Sequence, residues 1–371
     1  MKIAIVAHAK FPIAQPYAGG LEMITHLLVN ALVNRGHDVD LYAHRDSEIL
    51  AQLIPIDHFT DQVINKLNKE EMATFNRLRL DNYINYARVF SLLVRKQYDI
   101  IHNHSLNIQS LLMGNIIQDK YITTLHTPPF TDIKVGALTI KDLNDQYFTS
   151  VSDSLCKQWE GLIDNCTTIH NGIDLSQWRF SKTKEPSFLF WYGRICEEKA
   201  PHLAIEAALM AKKEIRLAGP IDEEAQAYYK DQVKPLFSNK RITYLGHLEQ
   251  DEINTLLMES EAYLFTSIWD EPYGLVLAEA LASGTPVIAF DVGAVREVVD
   301  DNTAIVVAKG DVKAMSEAIL QIHRLDPMAC RQWAEDKLAY HRMVDDYEKL
   351  YHHILKINQI ATAEDDRILR T

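Results

Sequence analysis

Cysteine, basic charge and long apolar runs are all scarce in this chain. Its 371 residues include four cysteines, Cys156, Cys166, Cys196 and Cys330, widely spaced and without a CxxC pair. They read as buried, inert thiols rather than metal ligands or bridges. Lys and Arg number 38 against 51 Asp and Glu, a net charge of −13. That deficit argues against a nucleic-acid surface, which needs clustered cations along the phosphate backbone. No stretch approaches the roughly 20 apolar residues that span a bilayer. The start, MKIAIVAHAKFP, has an apolar run from Ile3 to Ala7 that is too short for a secretory core, and Pro12 follows closely. A cytoplasmic protein without an integral membrane segment is expected. GxGxxG is missing as well, so a nicotinamide fingerprint is not supported. Internal repeats and low-complexity blocks are also lacking.

What remains is a soluble globular composition, 47% apolar and 24% charged, long enough for two domains. The first half alternates strand and helix. KIAIVAH reads as a buried strand, Leu21 to Arg35 as a helix ended by Gly36, and DVDLYAH as the next strand. YDIIHNH, KYITTLH and DQYFTSVS continue the rhythm. Residues 173–186 are polar and without sustained period, and read as a linker. A second alternation runs through SFLFWYG, EIRLAGP, RITYLG, AYLFTS, PVIAF and AIVVA. Helices are expected at 201–213, 223–237, 249–260, 275–283 and 311–325, with a late helix over about 333–360 and a frayed tail beyond. The spacing predicts an α/β fold of two facing, doubly wound parallel sheets. The N-terminal domain would hold 1–172 plus about 341–371, and the C-terminal domain 187–340. Ligands of such sheets bind beyond the carboxyl ends of the strands, so functional residues should follow strands directly.

Three segments meet that rule. In WDEPYGLVLAEALASGTPVIAFD, Pro272 and Gly274 put Glu271 in a loop, and a helix begins near Gly274. The amides of Gly274, Leu275 and Val276 then lack intrahelical acceptors and form a ready anion site. Glu279 lies about a turn further on, directed back toward that end. Two carboxylates around a helix start suit a ligand with a central phosphate and flanking hydroxyls; the blander alternative makes Glu271 an N-cap and Glu279 a solvated helix residue. In WYGRICEEKAPHLAIEAA, Arg194 and Lys199 follow a strand and precede a helix, where they can hold a diphosphate or simply pair with Glu197 or Glu198. After the first strand, Gly19 and Gly20 allow a ligand close to the backbone at a helix start.

His126 ends the strand YITTLH and points to the same edge, as a candidate catalyst or a hydrogen-bonded structural histidine. His102 and His104 share a strand face, yet no third ligand stands at a usual metal spacing. Asp38-Val39-Asp40 has the form of a DxD metal motif but begins its strand, at the wrong end for a ligand, and reads as strand entry.

Together these residues resemble the retaining GT-B glycosyltransferases of family 4. The similarity runs through AGGLE, DIIHNH, TTLHTP, TSVSDS, HNGID, GRICEEKAPHLAIEAA and EPYGLVLAEALASGTPVIAF, the last carrying the E-x7-E signature as Glu271 and Glu279. WDEPYG is most similar to the subgroup around the avilamycin-pathway transferases. The resemblance implies a GT-B fold whose C-terminal helix crosses back onto the first domain. It implies that Arg194 and Lys199 hold a nucleotide diphosphate, that Glu279 accepts from the ribose, and that Glu271 accepts from the transferred sugar. The amides near Gly274 and Gly20 would meet diphosphate and sugar, with His126 beside the donor sugar. Gly246, His247 and Leu248 would form the base region. Two departures stand out: Ala200 replaces a usual glycine after the lysine, and Ala18 opens the glycine loop.

The activity so implied is transfer of a hexosyl unit, with retention, from a nucleotide diphosphate sugar to a hydroxyl of a small molecule or glycan. UDP is the expected carrier. No cofactor and no essential metal are expected, because cations and helix-start amides take the leaving charge. A phosphorylase or nucleotide-sugar epimerase remains an alternative, distinguished by phosphate dependence or by donor turnover without acceptor. A non-catalytic sugar-binding protein is a third, excluded by any transfer or donor hydrolysis.

Overall fold

A computed structural model describes residues 1–59, 66, 77–117, 120–143, 146–182 and 188–368 of the chain. Residues 183–186 of the expected linker and 369–371 of the expected tail lie outside the described residues. The chain divides into two units, Met1–His170 with Tyr340–Thr371, and Asn171–Ala339.

The first unit holds strands β1 (Lys2–Val6), β2 (Asp38–Ala43), β3 (Gln52–Pro55), β4 (Ile100–Asn103), β5 (Tyr121–Leu125), β6 (Tyr147–Ser150) and β7 (Cys166–Thr168). They form one sheet in the order β3-β2-β1-β4-β5-β6-β7, and every pairing is parallel. Central strands such as β1 and β5 are buried almost throughout because helices cover both faces, so neither side chain parity meets water. Helix Gly20–Asn34 buries Ile24, Leu28 and Leu32 along one stripe. It ends in a Schellman motif, in which Gly36 adopts a left-handed φ of 87° while the Gly36 and His37 amides donate to Val33 and Leu32 at 2.9 and 3.1 Å. Asp40 of the DxD sequence is buried structure: it accepts from Lys96 Nζ at 2.8 Å and from the Tyr98 hydroxyl.

The second unit holds β8 (Leu189–Tyr192), β9 (Ile215–Ala218), β10 (Ile242–Tyr244), β11 (Tyr263–Phe265), β12 (Val287–Phe290) and β13 (Ala304–Val307). Their order is β10-β9-β8-β11-β12-β13, again wholly parallel. Both sheets reverse direction of winding beside their first strand, the switch point beyond whose strand ends ligands of such sheets bind. Within the polar segment read as linker, Ile173 pairs with Ala339 and Trp178 is buried, so residues 173–178 belong to the packed body of this unit.

Helix boundaries departed from expectation in several places. Residues 223–238 form a chain of short 3₁₀, α and π turns rather than one helix. Pro235 lacks the N–H that a continuous helix would need there. The late helix is also two pieces. Pro327–Trp333 and a π turn over Ala334–Leu338 close the second unit, Ala339 is extended, and helix Tyr340–Ile368 belongs to the first unit. The returning helix is fixed by Arg35 and His37, which both engage the Glu348 carboxylate. That helix continues through most of the tail read as frayed, to Ile368. Among the described residues no helix is long and apolar enough to cross a membrane.

Cys156 and Cys166 are joined as a disulfide between helix Asp153–Gln158 and β7, with Cα atoms 6.2 Å apart. This corrects the reading of all four cysteines as separate thiols: a short strand returns Cys166 beside the helix, which spacing alone does not disclose. Cys196 and Cys330 are free and buried.

Candidate active site

In the second unit, β8 runs into Gly193 and a loop carrying Arg194 and Lys199 before helix Pro201–Met210. Three glycine-bearing strand ends meet here. The Gly219 amide donates to the Gly246 carbonyl at 2.7 Å, and the Tyr244 hydroxyl donates to the Gly219 carbonyl at 2.8 Å. A Cβ on Gly219 would lie 1.8 Å from the Gly193 carbonyl oxygen, so only glycine fits. Gly246 takes a left-handed φ of 76°, His247 is exposed, and Leu248 is half-buried beside it.

Ala200 caps helix Pro201–Met210 with φ 44° and ψ 53°. The left-handed path that a glycine would take freely is therefore kept by an alanine, at a cost of about 1 kcal/mol. The loop consequently retains its course and delivers Lys199 to the sheet edge. Lys199 Nζ makes an ion pair with Glu271 and stands 5.7 Å from the centroid of the Trp269 ring. The Glu271 carboxylate is also 3.5 Å from Ser267 Oγ. Arg194 is more exposed and is engaged by Asp222, with Glu198 at 4.0 Å.

Gly274, with φ 90°, is the residue before helix Leu275–Ala282. Among the described residues, the Gly274, Leu275 and Val276 amides meet no backbone acceptor. Glu271 is therefore not the helix cap: it stands three residues earlier and faces Lys199. Gly293 secures the Glu271 loop from behind. Its φ is 51°, a Cβ there would meet the Glu271 amide nitrogen at 2.4 Å, and the next amide, of Ala294, donates to the Glu271 carbonyl at 3.1 Å.

Glu279 is not a solvated helix residue either. The Tyr192 hydroxyl donates to its carboxylate and lies 3.4 Å from the Val276 carbonyl oxygen. Burial pushes the Glu279 carboxyl up to about 7, against the opposing effect of the Tyr192 hydrogen bond. Burial and the neighbouring Glu279 charge raise the Tyr192 hydroxyl far above its ordinary value. One edge of the second sheet thus gathers Lys199, Glu271, the helix-start amides and Glu279.

Gly20 and His126 belong to the first unit. Gly20 opens helix Gly20–Asn34, and Gly19 before it is extended and makes no left-handed turn. Glu22, two residues on, is buried and pairs with His8 Nε2 at 2.7 Å. Burial alone would raise the Glu22 carboxyl, but the hydrogen bond from His8 and backbone amides hold it below its ordinary value. His126 follows β5, and its Nε2 is 2.9 Å from His104 Nδ1. His104 Nε2 is in turn 3.3 Å from His102 Nδ1. Burial holds all three imidazoles well below their ordinary range, so each is neutral. Among the described residues no group of three or more His, Cys, Asp or Glu side chains forms a metal cradle.

Residue patterns did not disclose Tyr192, Trp269, Gly219, Gly293, or the pair His8 and Glu22. Gly219 carried a usable signal, a glycine directly after a strand. Tyr192 and Trp269 carried none, since each resembles an ordinary core aromatic.

Two open parallel sheets, each with a switch point beside its first strand, and a terminal helix that returns to the first unit define the GT-B class of fold. Residues 18–177 match the model for Glycosyltransferase Family 4, and residues 173–337 match that for Glycosyl transferases group 1. The chain belongs to the GT-B glycosyltransferases of this group 1 and family 4 type. It is 28% identical over 208 residues to a glycogen synthase of Mycobacterium tuberculosis, covering 54% of this chain and 49% of that protein, about half its length. It is 23% identical over 365 residues to a phosphatidyl-myo-inositol mannosyltransferase of Mycolicibacterium smegmatis, covering 92% and 90%. Among solved structures, sucrose-phosphate synthase from Thermosynechococcus elongatus aligns with a TM-score of 0.74 at 18% identity, covering 96% of this chain and all (100%) of that one. Anabaena HepE in complex with UDP-glucose aligns with a TM-score of 0.71 at 16% identity, covering 95% and 100%.

Proposed function

We propose that the protein transfers a hexosyl unit from a nucleotide diphosphate sugar, with UDP as carrier, to an acceptor hydroxyl of a small molecule or glycan, retaining the anomeric configuration. The observation that carries this reading is the set of groups at one sheet edge of the second unit. A lysine and helix-start amides supply positive potential for a diphosphate. Glu279 supplies an acceptor for the ribose hydroxyls, and Glu271 one for hydroxyls of the transferred sugar. Such a spread of donors and acceptors matches a ligand that is anionic in the middle and hydroxylated at both ends. UDP-glucose bound to a protein of the same fold supports the choice of donor class.

In the reaction, the bond from the anomeric carbon to the β-phosphate oxygen breaks as the acceptor oxygen bonds the same face. The acceptor proton passes to the departing phosphate. Lys199 and the amides of Gly274, Leu275 and Val276 stabilise the charge that develops on the diphosphate, with Arg194 joining after release from Asp222. Since the protein's own cations carry this charge, transfer is metal-independent, and activity should survive EDTA; an absolute requirement for Mg²⁺ or Mn²⁺ refutes that part.

A thermal-shift series with UDP-, GDP- and ADP-hexoses tests the donor reading. Ligand at 100 times its Kd stabilises the fold by about 2.7 kcal/mol. The UDP compounds should raise Tm, and the absence of any shift across the series contradicts the proposal.

A further inference from the structure

Trp159, Trp178 and Trp191 are buried, and Trp333 is half-buried. The indole N–H of Trp159 donates to the Thr127 carbonyl at 3.0 Å, that of Trp191 to Thr266 Oγ1 at 3.0 Å, and that of Trp333 to the Val298 carbonyl at 2.8 Å. Trp269 differs from these four. It is half-buried in the loop after β11, and among the described residues its indole nitrogen has no hydrogen-bond partner. An open ring and a free N–H thus coincide at this one tryptophan, a few residues from Glu271.

The backbone that carries Trp269 is firmly held. The Ile268 amide donates to the Glu198 carbonyl at 2.8 Å, and Thr266 Oγ1 donates to the Lys199 carbonyl at 3.0 Å. Ser267 Oγ lies 3.3 Å from the Glu198 carbonyl oxygen and 3.2 Å from that of Trp269. The loop after β11 is thereby stitched to the loop after β8, and the indole is placed beside Lys199. Lys199 Nζ stands 5.7 Å from the ring centroid, near the outer limit of cation–π attraction, and its charge is engaged by Glu271. The lysine by itself therefore does not account for an open indole here. An apolar ring left in water costs free energy that a ligand recovers by covering it. A diphosphate has no apolar surface to offer. A hexopyranose has C–H groups on its ring faces and hydroxyls around its rim, which suits an indole next to a carboxylate.

We infer that Trp269 binds the transferred hexose, its ring packed on a C–H face of the sugar and its N–H donating to a sugar oxygen. This names a specificity-determining residue for the function proposed above and rests on that reading. Glu271 accepts from the hydroxyls of the same sugar, two residues along the chain, and Lys199 meets the phosphate. The hexose, and not the nucleotide, gains affinity from Trp269.

The test compares UDP with UDP-glucose by calorimetric titration of the full chain as wild type, Trp269→Ala and Trp269→Phe. Trp269→Ala should bind UDP-glucose about tenfold more weakly, the effect of no longer covering the open part of a large apolar side chain. Its affinity for UDP should be unchanged. Trp269→Phe keeps a ring without the N–H and should lose about threefold toward UDP-glucose. Equal losses for both ligands in Trp269→Ala mean a tryptophan that supports Lys199 or stacks on the base, and overturn the inference; so does undiminished binding of UDP-glucose. A second readout needs no folded alanine variant. The ¹⁵N–H signal of the Trp269 indole, assigned by its loss in Trp269→Phe, should move with UDP-glucose and stay in place with UDP. Equal movement with both ligands, or none with either, overturns the inference. Wild-type protein that binds neither ligand contradicts the parent reading and this one with it, whereas transfer that proceeds with the Trp269 signal unmoved removes this one alone.

Discussion

Replacing Glu279 by glutamine separates a carboxylate's use from its cost. In the folded chain burial holds this group near 7, against 4.5 for an ordinary glutamate. The folded state therefore binds the proton more tightly than the unfolded state. Below about pH 4.5 both states are protonated and the group costs nothing. As pH rises to about 7 the unfolded chain ionises first, and stability falls through that window to a constant loss above it. Each pH unit of difference is worth about 1.36 kcal/mol, so the full loss is about 3 kcal/mol. Glutamine cannot ionise, and its carbonyl can still accept from Tyr192 as a protonated carboxyl does. Glu279→Gln should therefore match the wild type near pH 4.5 and exceed it by about 3 kcal/mol at pH 8. Urea denaturation at four pH values between 5 and 8 reads the difference directly. The same variant should bind UDP-hexose roughly ten- to a hundredfold more weakly, since hydrogen bonds to a charged acceptor are lost. A stability difference that does not change with pH, or a variant less stable than wild type at pH 8, refutes the account of this site.

Wild-type donor affinity should rise with pH through about 7, because the ribose hydroxyls require the ionised Glu279; calorimetric titration in buffers of different protonation enthalpy should register a released proton. Lys199→Ala should lower kcat/KM by roughly a hundredfold or more while changing Tm little, as removal of charge stabilisation in a transition state does; near-normal turnover would remove the lysine from the mechanism. Gly219→Ala should lose several kcal/mol of stability in chemical denaturation, because its Cβ has no room beside the Gly193 carbonyl. Ala200→Gly should stay within about 1 kcal/mol of wild type by the same assay, since relief of the left-handed strain is offset by a looser unfolded chain.

Parallel sheets made much of this fold legible. Strands such as β1, β8 and β12 are buried on both faces and stand out as short apolar runs between helices. The edge strand β3 and the short, polar β7 did not, because an edge strand needs less apolar surface and three or four residues hold too little pattern. In the site, Glu271, Gly274 and Glu279 were readable because proline and glycine mark the loop and seven residues separate the carboxylates. Their partners were less so. That Lys199 meets Glu271, and Tyr192 meets Glu279, depends on neighbouring strands β8 and β11 bringing residues 72 and 87 positions apart into contact. The histidine row shows the same limit: His102 and His104 share a face by strand parity, but His126 joins them only through the sheet order.

The claim on which the rest depends is transfer from a nucleotide sugar. The most direct measurement is mass spectrometry of an incubation with UDP-hexose and a panel of hydroxylated acceptors, with UDP release followed in parallel. The account predicts an acceptor that gains one hexosyl unit for each UDP released, in EDTA, with both signals lost together in Lys199→Ala. No nucleotide release and no glycosylated product with any donor would contradict it.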